Sequence, residues 1–207
     1  AKFAAEELSE RMYIRRPQNE RNVAVLLLVD LSGSTKGWIN LAMKESLVLF
    51  SRALDTLGDS YSILGFSGLT RQRCEIYSVK DFNESEAEEI NARIANIQAK
   101  DYTRMGFAIR YAIRALLDTQ ANHRILMILS DGKPDDYDGY QGEYGIQDTR
   151  KAILEAQGSG IKPYSITIDK QAQTYLPRLF GPGEYMILDS VSSLPLKLSE
   201  VYRKLSA

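Results

Sequence analysis

Apolar runs rich in β-branched residues alternate with stretches of helical periodicity along most of the 207-residue chain. Residues 23–29 form an unbroken apolar run that ends at Asp30, which is typical of a strand buried on both faces of a sheet. Residues such as Met43, Leu47 and Phe50 recur instead at helical spacing. The pattern predicts strands near residues 23–29, 61–66, 73–79, 125–129, 163–168 and 185–188, and helices near 43–57, 84–97, 105–116, 146–156 and 194–205.

This order of elements predicts the fold class. Strands that alternate with helices need crossover connections, which produce a mostly parallel sheet with helices on both sides. The weak alternation of residues 73–79 predicts an antiparallel edge strand. We therefore predict an α/β, three-layer, Rossmann-like domain over residues 22–207. Residues 1–21 are rich in arginine, and we expect an N-terminal arm or a connection to a missing upstream domain there.

Composition and charge exclude several classes of protein. Lysine and arginine number 26 against 27 acidic residues, a net charge of −1, so the basic excess typical of nucleic-acid-binding proteins is missing. The longest apolar run, residues 23–29, is far shorter than the ~20 residues of a membrane span. Cys74 is the one cysteine, which allows no internal disulfide and favours a reducing, cytoplasmic location.

Polar residues with metal-binding chemistry follow the buried strands. In doubly wound sheets, ligands bind beyond the carboxyl ends of the strands. Asp30 ends the first strand and is followed by Ser32 and Ser34, Asp131 follows a second all-apolar strand, and Thr103 precedes a predicted helix. All of these side chains carry hard oxygen ligands, which suit Mg²⁺, Mn²⁺ or Ca²⁺ better than zinc or copper. The sequence therefore predicts a divalent metal site formed by Asp30, Ser32, Ser34, Thr103 and Asp131.

The charge of this ligand set predicts how the site would act. Hydroxyl groups add no charge, so an ion held mainly by them stays electron-poor and attracts a further carboxylate. We expect that carboxylate to come from an aspartate or glutamate of a protein partner, which makes the site a docking device.

Each piece of the site also has a simpler structural interpretation. Ser32, Ser34 or Thr35 could cap the helix that follows them, and Thr103 could cap the next helix, because serine and threonine are favoured at helix N-termini. Asp131 with the glycine after it is an ordinary turn signal. The conjunction of two strand-end aspartates with a Ser-x-Ser loop and a loop threonine favours one joint site.

These residues resemble a known family. The pattern of Asp30, Ser32 and Ser34, with Thr103 and Asp131, looks like the metal-ion-dependent adhesion site of von Willebrand factor A (VWA) domains, and the resemblance covers the chain from about residue 22 to its C-terminus. It implies a VWA fold in which Ser32 and Ser34 ligate the metal directly. It further implies that Thr103 ligates in one state of the site, and that Asp30 and Asp131 bind the ion or hold its waters.

A finer resemblance involves residues 132–150, 167–169 and 175–178, together with the lead-in at residues 13–16. These stretches look like the C-terminal VWA domain of adaptor proteins that partner MoxR-type AAA+ ATPases, one branch of which activates Rubisco and another nitric oxide reductase. The resemblance implies a non-enzymatic adaptor that presents a target protein to a separate ATPase chain. The phosphate-binding pattern Gly-x-x-x-x-Gly-Lys-Ser/Thr is accordingly missing here.

Other functional classes compete with this interpretation. A magnesium-dependent phosphotransfer enzyme or phosphatase could use Asp30 as its nucleophile, although Ser32 stands where such enzymes usually carry a second aspartate. A serine hydrolase would need Gly-x-Ser-x-Gly, and a dinucleotide-binding domain would need Gly-x-Gly-x-x-Gly after the first strand; neither pattern is present at these positions. A purely structural Rossmann-like module with an inactive site remains a further alternative.

Two features beside the predicted site have open interpretations. A loop carries Asp135, Asp136, Asp138 and Glu143, and it is either a solvated loop or a second cation site or acidic partner surface. Trp38, shortly after the metal loop, either anchors its helix in the core or contributes to a binding surface, where tryptophan is enriched.

Overall fold

The computed structural model describes residues 22–85 and 87–206, so the predicted arm, residues 1–21, lies outside the described residues. Strands and helices alternate in the predicted order. The strands are β1 (Val23–Asp30), β2 (Ser60–Leu69), β3 (Arg73–Lys80), β4 (His123–Ser130), β5 (Ile161–Thr167) and β6 (Tyr185–Ile187). The helices are α1 (Trp38–Leu57), α2 (Ala87–Ala95), α3 (Met105–Leu117), α4 (Gly142–Gly158), α5 (Leu176–Phe180) and α6 (Leu194–Leu205), with short 3-10 turns at Gly33–Thr35, Ala172–Thr174 and Val191–Ser193.

The strands form one sheet in the order β3-β2-β1-β4-β5-β6. All neighbours pair in parallel except β3, which runs antiparallel to β2 at the edge. This confirms the predicted fold class, an α/β, mostly parallel sheet with one antiparallel edge strand. The chain moves outward from β1 in both directions, so the crevice expected to bind ligands lies at the carboxyl ends of β1 and β4.

Helices cover both faces of the sheet, which gives two cores. The alternation of side chains along β1 sends Leu27 into a core with Leu47 of α1, while Leu28 enters a second core with Ile109 of α3. Helices α2 and α6 complete the first layer, and α4 and α5 complete the second. Because β1 is buried along its whole length, its last residue, Asp30, is held in a fixed position at the carboxyl end of this central strand.

Helix α1 ends where the sequence predicts. Gly58 takes the left-handed conformation with φ 71°, and its N–H bonds to the carbonyl groups of Asp55 and Leu54. Glycine adopts that conformation without the steric cost that a side chain brings. Among residues 22–85 and 87–206, no helix is long and apolar enough to cross a membrane.

Several boundaries differ from the predicted ones. Strand β2 continues to Leu69, and α4 begins at Gly142 rather than near residue 146, because its first turn is polar and carries no apolar periodicity. Helix α5 was not predicted, since its five residues, Leu176–Phe180, are too few for a periodic signal.

Candidate metal site

Asp30 lies at the centre of the predicted site and is fully buried, with 0% of its surface exposed. One carboxylate oxygen, Oδ1, accepts the backbone N–H of Ser32 at 2.9 Å. The other, Oδ2, accepts the hydroxyl of Ser130 at 2.8 Å and that of Thr103 at 3.2 Å. Three separate segments of the chain therefore hold this one carboxylate in place.

The two loop serines link Asp30 to the second strand-end aspartate. The 3-10 turn at Gly33–Thr35 places the Oγ atoms of Ser32 and Ser34 3.0 Å apart. The hydroxyl of Ser34 in turn donates to Oδ1 of Asp131 at 2.9 Å. The structure thus brings all five sequence-predicted residues into one hydrogen-bonded cluster at the carboxyl ends of β1 and β4.

The helix-capping interpretation is wrong for these hydroxyl groups. The N-cap of α1 is Gly37 and that of α3 is Arg104, and neither helix receives a side-chain capping bond. Thr35 donates its hydroxyl to the carbonyl of Ser32 at 2.8 Å, which stabilises the turn itself. The hydroxyls of Ser32, Ser34 and Thr103 therefore all face the carboxylates.

Backbone pairing fixes the position of Thr103. Its N–H donates to the carbonyl of Asp135 at 2.8 Å, and the N–H of Asp135 donates back at 3.1 Å. The preceding residue, Tyr102, exchanges two bonds of 2.8 Å with Gly68 near the end of β2. The threonine loop is therefore pinned between β2 and the loop that follows β4.

The electrostatics of the cluster fit a hard divalent cation. Burial, reinforced by the charge of Asp131, raises the pKa of Asp30 to about 6, and burial also raises the pKa of Asp131. The ion pairs within the described part of the chain involve neither carboxylate. Two carboxylates whose charge is costly, with hydroxyl oxygens and no histidine or cysteine beside them, match the donors preferred by Mg²⁺, Mn²⁺ or Ca²⁺.

The hydroxyls are essential to this donor set. Residues 22–85 and 87–206 contain no group of three or more histidine, cysteine, aspartate or glutamate side chains suited to a metal ion. An ion at this edge of the sheet would therefore depend on Ser32, Ser34 and Thr103 as well as on the two aspartates.

Ser130 is a site residue that the prediction missed. It ends strand β4 directly after the apolar run at residues 125–129, and it donates its hydroxyl to Asp30. The signal was available, because a polar residue at the carboxyl end of a buried strand lies beside the end of the neighbouring strand.

The two central aspartates of the acidic loop after β4 do not form a free cation site, and the solvated-loop interpretation is wrong for the buried Asp136 while Asp138 is exposed. Asp136 is fully buried and accepts Nε of Arg104 at 2.7 Å. Asp138 pairs with Nη2 of the same guanidinium group. Since this arginine already engages both carboxylates, they do not call for an added cation.

The side chain of Trp38 is 64% exposed, so the alternative in which it anchors α1 in the core is wrong. Near the cluster, Ser32 and Ser34 also line an open cleft of about 500 Å³. The other walls of the cleft include Lys100, Lys133 and the exposed ring of Tyr102.

The fold and this cluster define a class of protein. The family model of the von Willebrand factor type A domain matches residues 24–200, and the chain belongs to that family. Structural similarity agrees: the pilus adhesin SpaC from Lactobacillus rhamnosus GG superposes with a TM-score of 0.72 at 18% identity, over 91% of this chain and 31% of that chain.

Several curated proteins are similar to this chain in sequence. The chain is 40% identical to the uncharacterized protein PA0525 of Pseudomonas aeruginosa over 200 residues, covering 94% of this chain and 33% of that protein. It is 38% identical to Protein NorD of Stutzerimonas stutzeri, covering 86% of this chain and 30% of that protein. It is 36% identical to Protein NorD of Brucella melitensis, covering 96% and 32%. The chain thus spans about a third of the length of these relatives.

Proposed function

We propose that this chain is a non-enzymatic protein-binding module that binds one divalent cation, with Mg²⁺ favoured and Mn²⁺ or Ca²⁺ as alternatives. Asp30, Ser32, Ser34, Thr103 and Asp131 would hold the ion. The convergence of these five side chains, which come from three segments far apart in sequence, is the observation that carries the proposal. The ion's shell would be completed by an aspartate or glutamate of a partner protein, because the ligand set is poor in charge.

The surroundings of the cluster support an acidic partner. Lys100 and Lys133 both line the adjacent cleft, and neither forms an ion pair with another described residue. The exposed rings of Tyr102 and Tyr137 lie 6.2 Å apart, and aromatic rings of this kind are enriched at binding hot spots. A carboxylate approaching the metal would therefore meet positive charge and apolar surface together.

We infer that the module is part of a cytoplasmic adaptor for a MoxR-type AAA+ ATPase. The relatives named NorD favour nitric oxide reductase over Rubisco as the kind of target. In this proposal the module binds the target through the metal, and the ATPase supplies the work that activates or remodels it.

The alternative of a phosphotransfer enzyme is less favoured. Its nucleophile would be Asp30, but this carboxylate is fully buried and already accepts three hydrogen bonds. We expect no turnover of p-nitrophenyl phosphate in the presence of Mg²⁺. Turnover that disappears in Asp30→Asn would instead establish the enzyme.

The adaptor proposal is tested by binding to purified candidate partners, the MoxR-type ATPase and the nitric oxide reductase of the same organism. We expect binding of the reductase in Mg²⁺, loss of binding in EDTA, and loss in Ser32→Ala and Asp131→Ala while circular dichroism stays unchanged. The Ser159→Ala variant is the control, because Ser159 is exposed and lies just before β5, at the opposite end of the parallel strands from the cluster. Equal binding by all variants, with or without the chelator, would refute metal-dependent docking.

A further inference from the structure

A buried ion-pair network lies directly behind the threonine of the metal site. We define it as the Arg104 clamp, consisting of Arg104, Asp136 and Asp138. The side chain of Arg104 is 9% exposed, and its Nε donates to Asp136 Oδ2 at 2.7 Å while Nη2 pairs with Asp138. The guanidinium group also lies 4.4 Å from the centre of the Tyr140 ring. The arginine is therefore fixed on several sides.

The two aspartates of the clamp extend it to the turn between β2 and β3. Oδ1 of Asp136 accepts the N–H of Thr70 at 2.9 Å, and Oδ2 of Asp138 accepts the N–H of Arg71 at 2.8 Å. Thr70 has φ 65°, a conformation that is unfavourable for a β-branched residue. The clamp thus holds this turn in a conformation that its sequence does not prefer.

Gly68 has no side chain, and this leaves room for the clamp. A Cβ atom at this position would lie 3.0 Å from Cβ of Arg104 and 3.2 Å from Oδ2 of Asp136. Gly68 also pairs with Tyr102 through two backbone bonds. The end of β2 therefore contacts both the clamp and the loop that carries Thr103.

We propose that Arg104 is a positioning residue that fixes the Thr103 hydroxyl at the metal site. Arg104 follows Thr103 directly, and Asp136 follows Asp135, the residue that exchanges two backbone bonds with Thr103. The Arg104–Asp136 ion pair consequently locks together the two backbone segments that place this hydroxyl against Asp30 at 3.2 Å. This inference rests on the proposed metal site and adds a residue that never touches the ion.

The test compares two arginine-to-lysine changes in the 207-residue chain. Arg104 is the N-cap of α3, and Arg110 lies within the same helix. Arg104→Lys keeps the charge but loses the two-pronged geometry of the guanidinium group. Arg110→Lys is the matched control, because Arg110 also engages two carboxylates, at 2.8 Å each, but on α4 and away from Thr103. The measurements are the Mg²⁺ dissociation constant by calorimetry, the melting temperature, and hydrogen exchange of the Thr103 amide without metal.

We expect Arg104→Lys to weaken Mg²⁺ binding about tenfold or more, as supporting residues around metal ligands generally do. The Thr103 amide of the metal-free protein should exchange at least about tenfold faster in this variant. Arg110→Lys should change both quantities by less than about twofold, even where it lowers the melting temperature as much. Asp138→Asn, at the more exposed end of the clamp, replaces Arg104→Lys if that variant does not fold.

A folded clamp variant that binds Mg²⁺ within about twofold of the parent would overturn the inference. Absence of Mg²⁺ binding by the parent itself would refute the proposed metal site, which is a different result. In that case the exchange rate of the Thr103 amide still decides whether Arg104 fixes this residue, and an unchanged rate overturns the inference.

Discussion

Two pairs of aspartates lie at the same edge of the sheet and differ in what balances their charge. Asp136 and Asp138 share the guanidinium group of Arg104. The pKa of Asp138 lies below its usual value, first because the N–H of Arg71 binds it and also because Arg104 is near. Asp30 and Asp131 form no ion pair with a described residue, and burial raises the pKa of both.

The difference shows where the fold supplies a cation of its own. A buried carboxylate is costly unless it is paired, so the clamp contains its own arginine and is complete within the chain. At the other pair, hydroxyl groups occupy the positions that a lysine or arginine would take. We infer that an external ion is the intended counter-charge there, in line with the proposed function.

We expect the largest loss of stability when a carboxylate of the Arg104 clamp is removed. Asp136→Ala leaves the guanidinium group of Arg104 buried without its fully buried partner, which should lower the free energy of unfolding by about 3–5 kcal/mol. Urea denaturation measures the change. The exposed Asp189→Ala serves as the control and should stay within about 0.5 kcal/mol of the parent. Equal stability of both variants would contradict the role given to the clamp.

Adding the external ion should have the next largest effect. Mg²⁺ at about 100 times its dissociation constant should raise the free energy of unfolding by about 2.7 kcal/mol, because the proposed site exists in the folded state alone. EDTA should reverse the gain, and Asp131→Asn should not show it. The gain is measured by urea denaturation with and without metal, and an equal gain in Asp131→Asn would place the ion elsewhere.

Acid should weaken the proposed metal binding. With the pKa of Asp30 raised to about 6, this carboxyl carries a proton at pH 5 that the metal must displace. One pH unit below the pKa corresponds to an affinity about tenfold lower than at pH 7.5. Calorimetric titrations at the two pH values test this. An affinity independent of pH would mean that Asp30 is not part of the binding site.

The smallest effect concerns the metal-free protein. Asp131→Asn removes a charge that disfavours ionisation of Asp30, so near pH 7 the variant should be as stable as the parent or slightly more stable. Urea denaturation in EDTA is the measurement. A marked loss of stability would show that the two aspartate pairs are not different in kind.

The strand ends were predictable because an apolar run followed by aspartate is a local signal. Asp30 and Asp131 were found from this signal, Ser32 and Ser34 because they follow Asp30, and Thr103 because it precedes a predicted helix. The topology of the sheet brings these five residues together. The exposure of Trp38 was also within reach of the sequence, since the residue lies about 140° around the helix from Met43, which begins the apolar stripe.

The Arg104 clamp could not be predicted from local patterns. Its two aspartates lie 32 and 34 residues further along the chain, and they reach Arg104 only because Thr103 pairs with Asp135 across the sheet edge. The same aspartates, taken as a run of charge, predict a solvated loop. Pairing between distant loops is a property of the folded chain and has no periodic signature.

Calorimetric titration of Mg²⁺ into the 207-residue chain and its Ser32→Ala variant tests the central claim most directly. The hydroxyl removed in this variant lies 3.0 Å from that of Ser34 and carries no charge, so its loss tests ligation rather than bulk electrostatics. We expect one ion bound per parent chain and binding at least about tenfold weaker in the variant. A parent that binds no Mg²⁺, Mn²⁺ or Ca²⁺, or a variant that binds Mg²⁺ as tightly as the parent, would contradict the claim.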